Sequence, residues 1–193
     1  MPHPLWMPAA AVPPWPSAAP NVAAVPAVAA HPDSASSPAW IGLGANLGEP
    51  AAHLRTALAG IGALPGTRVV RVSPLYRSAP VDASGPDYLN AVVEICTLLA
   101  PQQLLEGLQA LERAAGRERP YRNAPRTLDL DILLWGAGGA ERIDTATLTV
   151  PHPRLHGRAF VLQPLADIAP ALVAPAALQA VAGQRMERLP APL

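Results

Sequence analysis

Two aspartates one residue apart, Asp129 and Asp131, are the only polar residues in an otherwise apolar run from Leu128 to Trp135. On a β-strand, residues i and i+2 share a face. The two carboxylates would therefore project together, roughly 6–7 Å apart at their Cα atoms, while Leu128, Leu130 and Ile132 turn toward a core. Neighbouring carboxylates repel, and neither is buried cheaply without a counter-charge, which a divalent cation or a guanidinium can supply. Arg113, Arg117, Arg119, Arg122 and Arg126 lie just upstream. Carboxylates for Mg²⁺ beside arginines for phosphate oxygens are the equipment of phosphoryl transfer. An isolated D-x-D is more often a surface pair bridged to arginine. Apolar flanks on both sides argue here for an interior strand, and with it the metal reading.

The composition narrows the chemistry. All fourteen basic residues are arginine, so a Walker-type phosphate loop and Schiff-base catalysis are excluded. No G-x-S-x-G nucleophile turn occurs. A net charge of zero disfavours a general nucleic-acid surface. No apolar run is long enough to span a bilayer, so no membrane partner is expected. The single cysteine, Cys96, sits in an apolar segment and reads as structural; the expected setting is a reducing cytoplasm.

The elements that must position the aspartates follow from period and punctuation. Residues 1–38 hold ten of the twenty-five prolines and no arginine; a disordered Pro/Ala-rich extension is expected there, with the folded unit covering 39–193. A strand at Trp40–Gly44 leads through a Gly/Asn turn to a helix opened by Pro50, with Leu54, Leu58 and Ile61 at helical spacing. One strand is expected over Thr67–Ser78 and another over Tyr88–Thr97. Pro101 opens a second helix with Leu104, Leu108 and Leu111 inward, Gln109 and Glu112 off that stripe, and Gly116 as the stop. Residues 117–125 read as a loop, 129–135 as the aspartate strand and 143–150 as a further strand or hairpin arm. The order β-α-β-β-α-β predicts an α+β fold: a ferredoxin-like antiparallel sheet with both helices on one face and an added hairpin, the other face left for a ligand.

Other residues carry weaker signals. His152 and His156 have the i, i+4 spacing of a helical zinc site, but Pro153 pushes His152 out of the helical region, and His152 reads better as a phosphate or ribose contact. His53 reads as a surface residue. Tyr88, Asn90 and Phe160, the only phenylalanine, could sandwich and hydrogen-bond a flat heterocycle. Each could equally be core.

Four ordered blocks add a resemblance: Ile41 to Gly48, Pro86 to Asn90, Arg122 to Leu133, and Leu148 to His152 with Arg158 and Phe160. Over residues 39–172 the chain resembles the 6-hydroxymethyl-7,8-dihydropterin pyrophosphokinases of folate biosynthesis. The resemblance implies that the pyrophosphoryl group of ATP passes to the pterin hydroxymethyl, releasing AMP. It implies two Mg²⁺ ions on Asp129 and Asp131. The pterin would be held by Ser78, Pro80, Tyr88, Asn90 and Phe160, and phosphates by Arg117, Arg119, Arg126, His152 and Arg158. Gln109, Glu112, Ile132 and Thr149 would line the nucleotide site, beneath loops at 79–86 and 117–125 that close over it. Small-molecule partners, no nucleic acid and a monomeric chain are expected. The rival readings are a ferredoxin-like RNA-binding module, disfavoured by scattered aromatics and zero net charge, and an inactive nucleotide-binding relative.

Overall fold

The computed structural model describes residues 36–80, 85–116, 126–190 and 193. Arg117, Arg119, the 117–125 loop, the tip of the 79–86 loop and residues 1–35 lie outside them. In chain order the elements are β1 (Ser37–Ala45), α1 (Pro50–Gly62), β2 (Thr67–Val72), β3 (Tyr76–Ser78), β4 (Tyr88–Thr97), α2 (Pro101–Ala114), β5 (Asp129–Trp135), β6 (Ile143–Asp144), β7 (Thr149–Val150), α3 (Ala159–Ile168), α4 (Pro175–Ala180) and β8 (Met186–Arg188). The fold is α+β. An antiparallel sheet runs β5-β1-β4-β3-β8, with β2 also paired to β4, and β6–β7 form a separate short hairpin.

The first strand begins at Ser37 rather than Trp40, because Ser37 and Pro38 already pair with Thr97 and Cys96. Alternation along β1 sends Ala39, Ile41 and Leu43 to one face. There they meet Val93 and Ile95 of β4, Leu130 and Ile132 of β5, and the inward residues Leu54 and Ile61 of α1 and Leu104, Leu108 and Leu111 of α2. Prolines at the first turn start both helices, and Gly116, at φ +72°, ends the second segment. Gly60 lets these helices approach, since a Cβ there would lie 2.6 Å from Leu111 Cδ2.

The two early helices share one face as expected, but the other face is not left wholly to a ligand. The opposite face carries Trp40, Val92 and Leu133, an apolar stripe that must be covered, and α3 covers it with Ala159, Leu162 and Leu165. The expected single strand over Thr67–Ser78 is broken at 73–75. Pro74 cannot donate to a ladder; Ser73 bridges the gap, its N donating to Val92 O and its Oγ accepting from Val92 N, both at 2.9 Å. β5 carries one extra residue: Ile41 faces Ile132 but Trp40 faces Leu134, so Leu133 is bulged. Cys96 is half-buried on β4. Among the described residues, no helix is long and apolar enough to cross a membrane.

Candidate active site

The face shared with α3 is only partly covered. What remains is a cavity of about 410 Å³ over the ends of β1, β4 and β5, within the range of small-molecule sites. Its floor is set by register. Asp129, Gly44 and Asn90 lie abreast on β5, β1 and β4, and Asp131, Gly42 and Val92 form the next row. Period 2 thus brings both aspartates to the cavity, while Leu130 and Ile132 turn into the core. Gly42 and Gly44 keep the floor low. A Cβ on Gly44 would stand 3.5 Å from Asn90 Oδ1 and 4.0 Å from Asp129 Cβ, and one on Gly42 would meet Leu133 Cδ2 at 3.3 Å. Two glycines at strand spacing are the sequence signal for such a close approach.

Ser78, Tyr88, Asn90, Arg126, Asp129, Asp131, His152, Arg158 and Phe160 all line this one cavity. Asn90 is buried and donates from Nδ2 to Ser78 Oγ at 3.0 Å. Arg126 forms an ion pair with Asp129. Arg158 lies with its guanidinium 5.3 Å from the centre of the Phe160 ring, a cation–π arrangement. The hairpin β6–β7 delivers His152, whose N donates to Leu133 O at 2.9 Å on the bulge of β5. Its Nδ1 accepts from Arg154 N at 3.2 Å, so in the neutral ring the proton sits on Nε2, which is 3.9 Å from Asp131 Oδ2.

Electrostatics separate this pair. Burial, followed by the charge of Asp129, pushes the Asp131 carboxyl above its ordinary range. Burial pulls the His152 imidazole below its own, against the pull of Asp131. The donor set consists of two hard carboxylates. Among the described residues no group of three or more His, Cys, Asp or Glu could form an all-protein cage. That suits Mg²⁺, which takes one or two carboxylates and completes its shell with phosphates and water.

Several expected residues lie elsewhere. Pro80 is half-buried just outside the lining. Gln109 is exposed on α2 and Thr149 exposed on β7. Ile132 is buried in the core on the other side of β5. Glu112 is also buried, contrary to its expected place off the α2 stripe, because its Oε1 accepts from Leu130 N at 2.7 Å and so faces the sheet. His53 is half-buried rather than a free surface residue, with Nδ1 3.1 Å from Thr127 O.

Asn46 is a residue that spacing did not reveal. It is buried; its N donates to Arg126 O at 3.0 Å, its Oδ1 accepts from Arg126 N at 2.7 Å, and its Nδ2 donates to Pro86 O at 3.1 Å. The chain entering β4 and the chain entering β5 are thereby tied at one rim of the cavity.

Residues 40–170 match the family model described as 7,8-dihydro-6-hydroxymethylpterin-pyrophosphokinase. The chain is 49% identical over 137 residues to a Pseudomonas aeruginosa protein named 2-amino-4-hydroxy-6-hydroxymethyldihydropteridine pyrophosphokinase, covering 70% of this chain and 83% of that one. It is 46% identical over 138 residues to the Haemophilus influenzae protein of the same name, covering 71% and 84%. Among solved structures it is similar in fold to the wild-type Plasmodium falciparum HPPK-DHPS with SDX-DHP. There the TM-score is 0.55 at 12% identity, over 72% of this chain and 42% of that much longer one.

Proposed function

Because the chain belongs to the 7,8-dihydro-6-hydroxymethylpterin pyrophosphokinase family and is a pyrophosphoryl-transfer enzyme of folate biosynthesis, we propose that the cavity between β5 and α3 is where ATP and the reduced hydroxymethylpterin meet. We also read the sheet order, with β2 and β3 together as one strand, as a ferredoxin-like core extended by β8 and the hairpin. One observation carries the site reading: the carboxylates of Asp129 and Asp131 face the same cavity as Tyr88, Asn90 and Phe160.

In this reading Tyr88 and Phe160 hold the flat pterin by its faces. Asn90, with Nδ2 engaged by Ser78, presents Oδ1 above Gly44 to accept from the ring's N–H edge. Ser78 closes that end, and Pro80 shapes the entry beside it. Asp129 and Asp131 would hold Mg²⁺, two ions in the full form of the reading. When bound, that metal neutralises phosphate charge.

The chain's own cations orient the triphosphate. Arg126 and Arg158 reach into the cavity, and His152 offers a neutral Nε2–H beside Asp131. Arg117 and Arg119, outside the described residues, are assigned to the same phosphates. The nucleotide base is placed on the outer flank of β5, where the exposed Gln109 and Thr149 border α2 and the hairpin, with Glu112 and Ile132 as the wall behind. The pterin hydroxyl oxygen bonds to the β-phosphorus as the bond from that phosphorus to the AMP oxygen breaks, AMP leaving with the bonding pair and the hydroxyl proton passing to solvent. Positioning and charge stabilisation supply the catalysis.

The test is product identity. Purified protein with Mg·ATP and 6-hydroxymethyl-7,8-dihydropterin should release AMP in step with the pterin diphosphate. Formation of ADP instead would overturn the assignment of the attacked phosphorus.

A further inference from the structure

Beyond residue 170, where the family match ends, the chain turns back against the site. In the turn between α4 and β8, Gln184 donates from Nε2 to Gly157 O at 2.9 Å and accepts at Oε1 from Ala159 N, also at 2.9 Å. One side-chain amide therefore straddles Arg158. Ala159 opens α3, so its N–H is among those a helix leaves unpaired, and no side chain caps this end locally. Gln184 supplies the missing acceptor from 25 residues away. Its second bond grips Gly157, the residue whose backbone would otherwise turn most freely.

Gln184 is itself held. Its N donates to Val181 O at 3.0 Å, and Val181 is buried in the core beneath α3. Two residues on, Met186 pairs with Ser78 on the opposite wall of the cavity. We propose that Gln184 is a positioning residue for pyrophosphoryl transfer: by fixing the backbone from Gly157 to Ala159, it sets where Arg158 and Phe160 enter the cavity. This rests on the reading that those two side chains contact the substrates.

The test is a double-mutant cycle on the full chain, with kcat and KM measured for both substrates. Gln184→Ala should lower kcat/KM roughly tenfold, the scale of a small misplacement near the chemistry. In the Arg158→Ala background the same change should cost less, about threefold, since one of the two groups it positions is gone. Gln184→Glu keeps the acceptor for Ala159 N and should recover part of the loss. Arg185→Ala, an exposed neighbour, should behave as wild type. Wild-type kinetics in Gln184→Ala, or an equal loss in both backgrounds, overturns the inference. Unchanged kinetics in Arg158→Ala alone overturns instead the site reading beneath it. If Gln184→Ala does not fold, the cycle is run under the same criteria with Gln184→Met, which keeps the side-chain length and lacks the amide.

Discussion

Glu112 on α2 accepts a 2.7 Å hydrogen bond from the backbone N of Leu130, the residue between the two aspartates of β5. Among the described residues β5 ends the sheet on this side, so no strand there takes this N–H, and a buried carboxylate does. Glu112→Ala would leave the buried N–H unsatisfied, at a cost of about 1–3 kcal/mol. Glu112→Gln, which keeps the oxygen, should retain most of the stability. Chemical denaturation of the two variants separates the outcomes. Equal stability in both would show that the bond contributes nothing to the fold.

Asp129→Ala and Asp131→Ala should each reduce AMP release by at least about 10²-fold, the scale of losing one preorganised charge-stabilising group. Far-UV circular dichroism should remain native, because both side chains face the cavity rather than the core. Chelation of Mg²⁺ should likewise abolish turnover while leaving the thermal midpoint of the substrate-free protein in place. Full activity in both variants would remove them as metal ligands.

The glycine floor makes a separate prediction. Gly44→Val places branched carbon between Asn90 and Asp129, where a Cβ alone already reaches contact distance. We expect a rise in KM for the pterin of about tenfold or more, corresponding to about 1.4 kcal/mol of lost binding. Isothermal titration with the pterin should show the same loss. Unchanged affinity would mean that the heterocycle does not lie over this row.

The Tyr76 hydroxyl donates to Asp167 Oδ2 at 2.7 Å, linking β3 to α3. Burial first, then this bond, pushes the phenol up to about 12. A phenol raised above its unfolded value of about 10 contributes stability that is full below pH 10 and lost as pH rises through 12. Tyr76→Phe should therefore be less stable at neutral pH by roughly 1–2 kcal/mol, and its stability should fall less steeply than wild type between pH 10 and 12. With no lysine in the chain, few other groups titrate there. Parallel pH curves would refute the linkage.

Features with a local cause were legible in the sequence. Period 2 placed Asp129 and Asp131 on one face, and prolines at 50 and 101 marked both early helices. What escaped depends on partners distant in sequence. Glu112 follows the polar pattern of α2 yet turns inward because Leu130 N waits there. Pro74 breaks a strand whose alternation otherwise runs through it, and only Val92 shows how the break is bridged. β8 is three residues long and gains its identity by pairing with β3. The two early helices do share one face; α3 on the other face escaped because Trp40, Val92 and Leu133 belong to separate strands, and their stripe exists only once the sheet is assembled.

The irregularity in β5 has a use of its own. Leu133 is the residue the neighbouring strand does not match, yet its carbonyl holds the backbone of His152 and its side chain leans over Gly42. Deleting it would restore an unbroken two-residue rhythm, with both acids and Trp135 still turned as they are now. The ribbon would then look more regular and lack the peg from which the imidazole hangs.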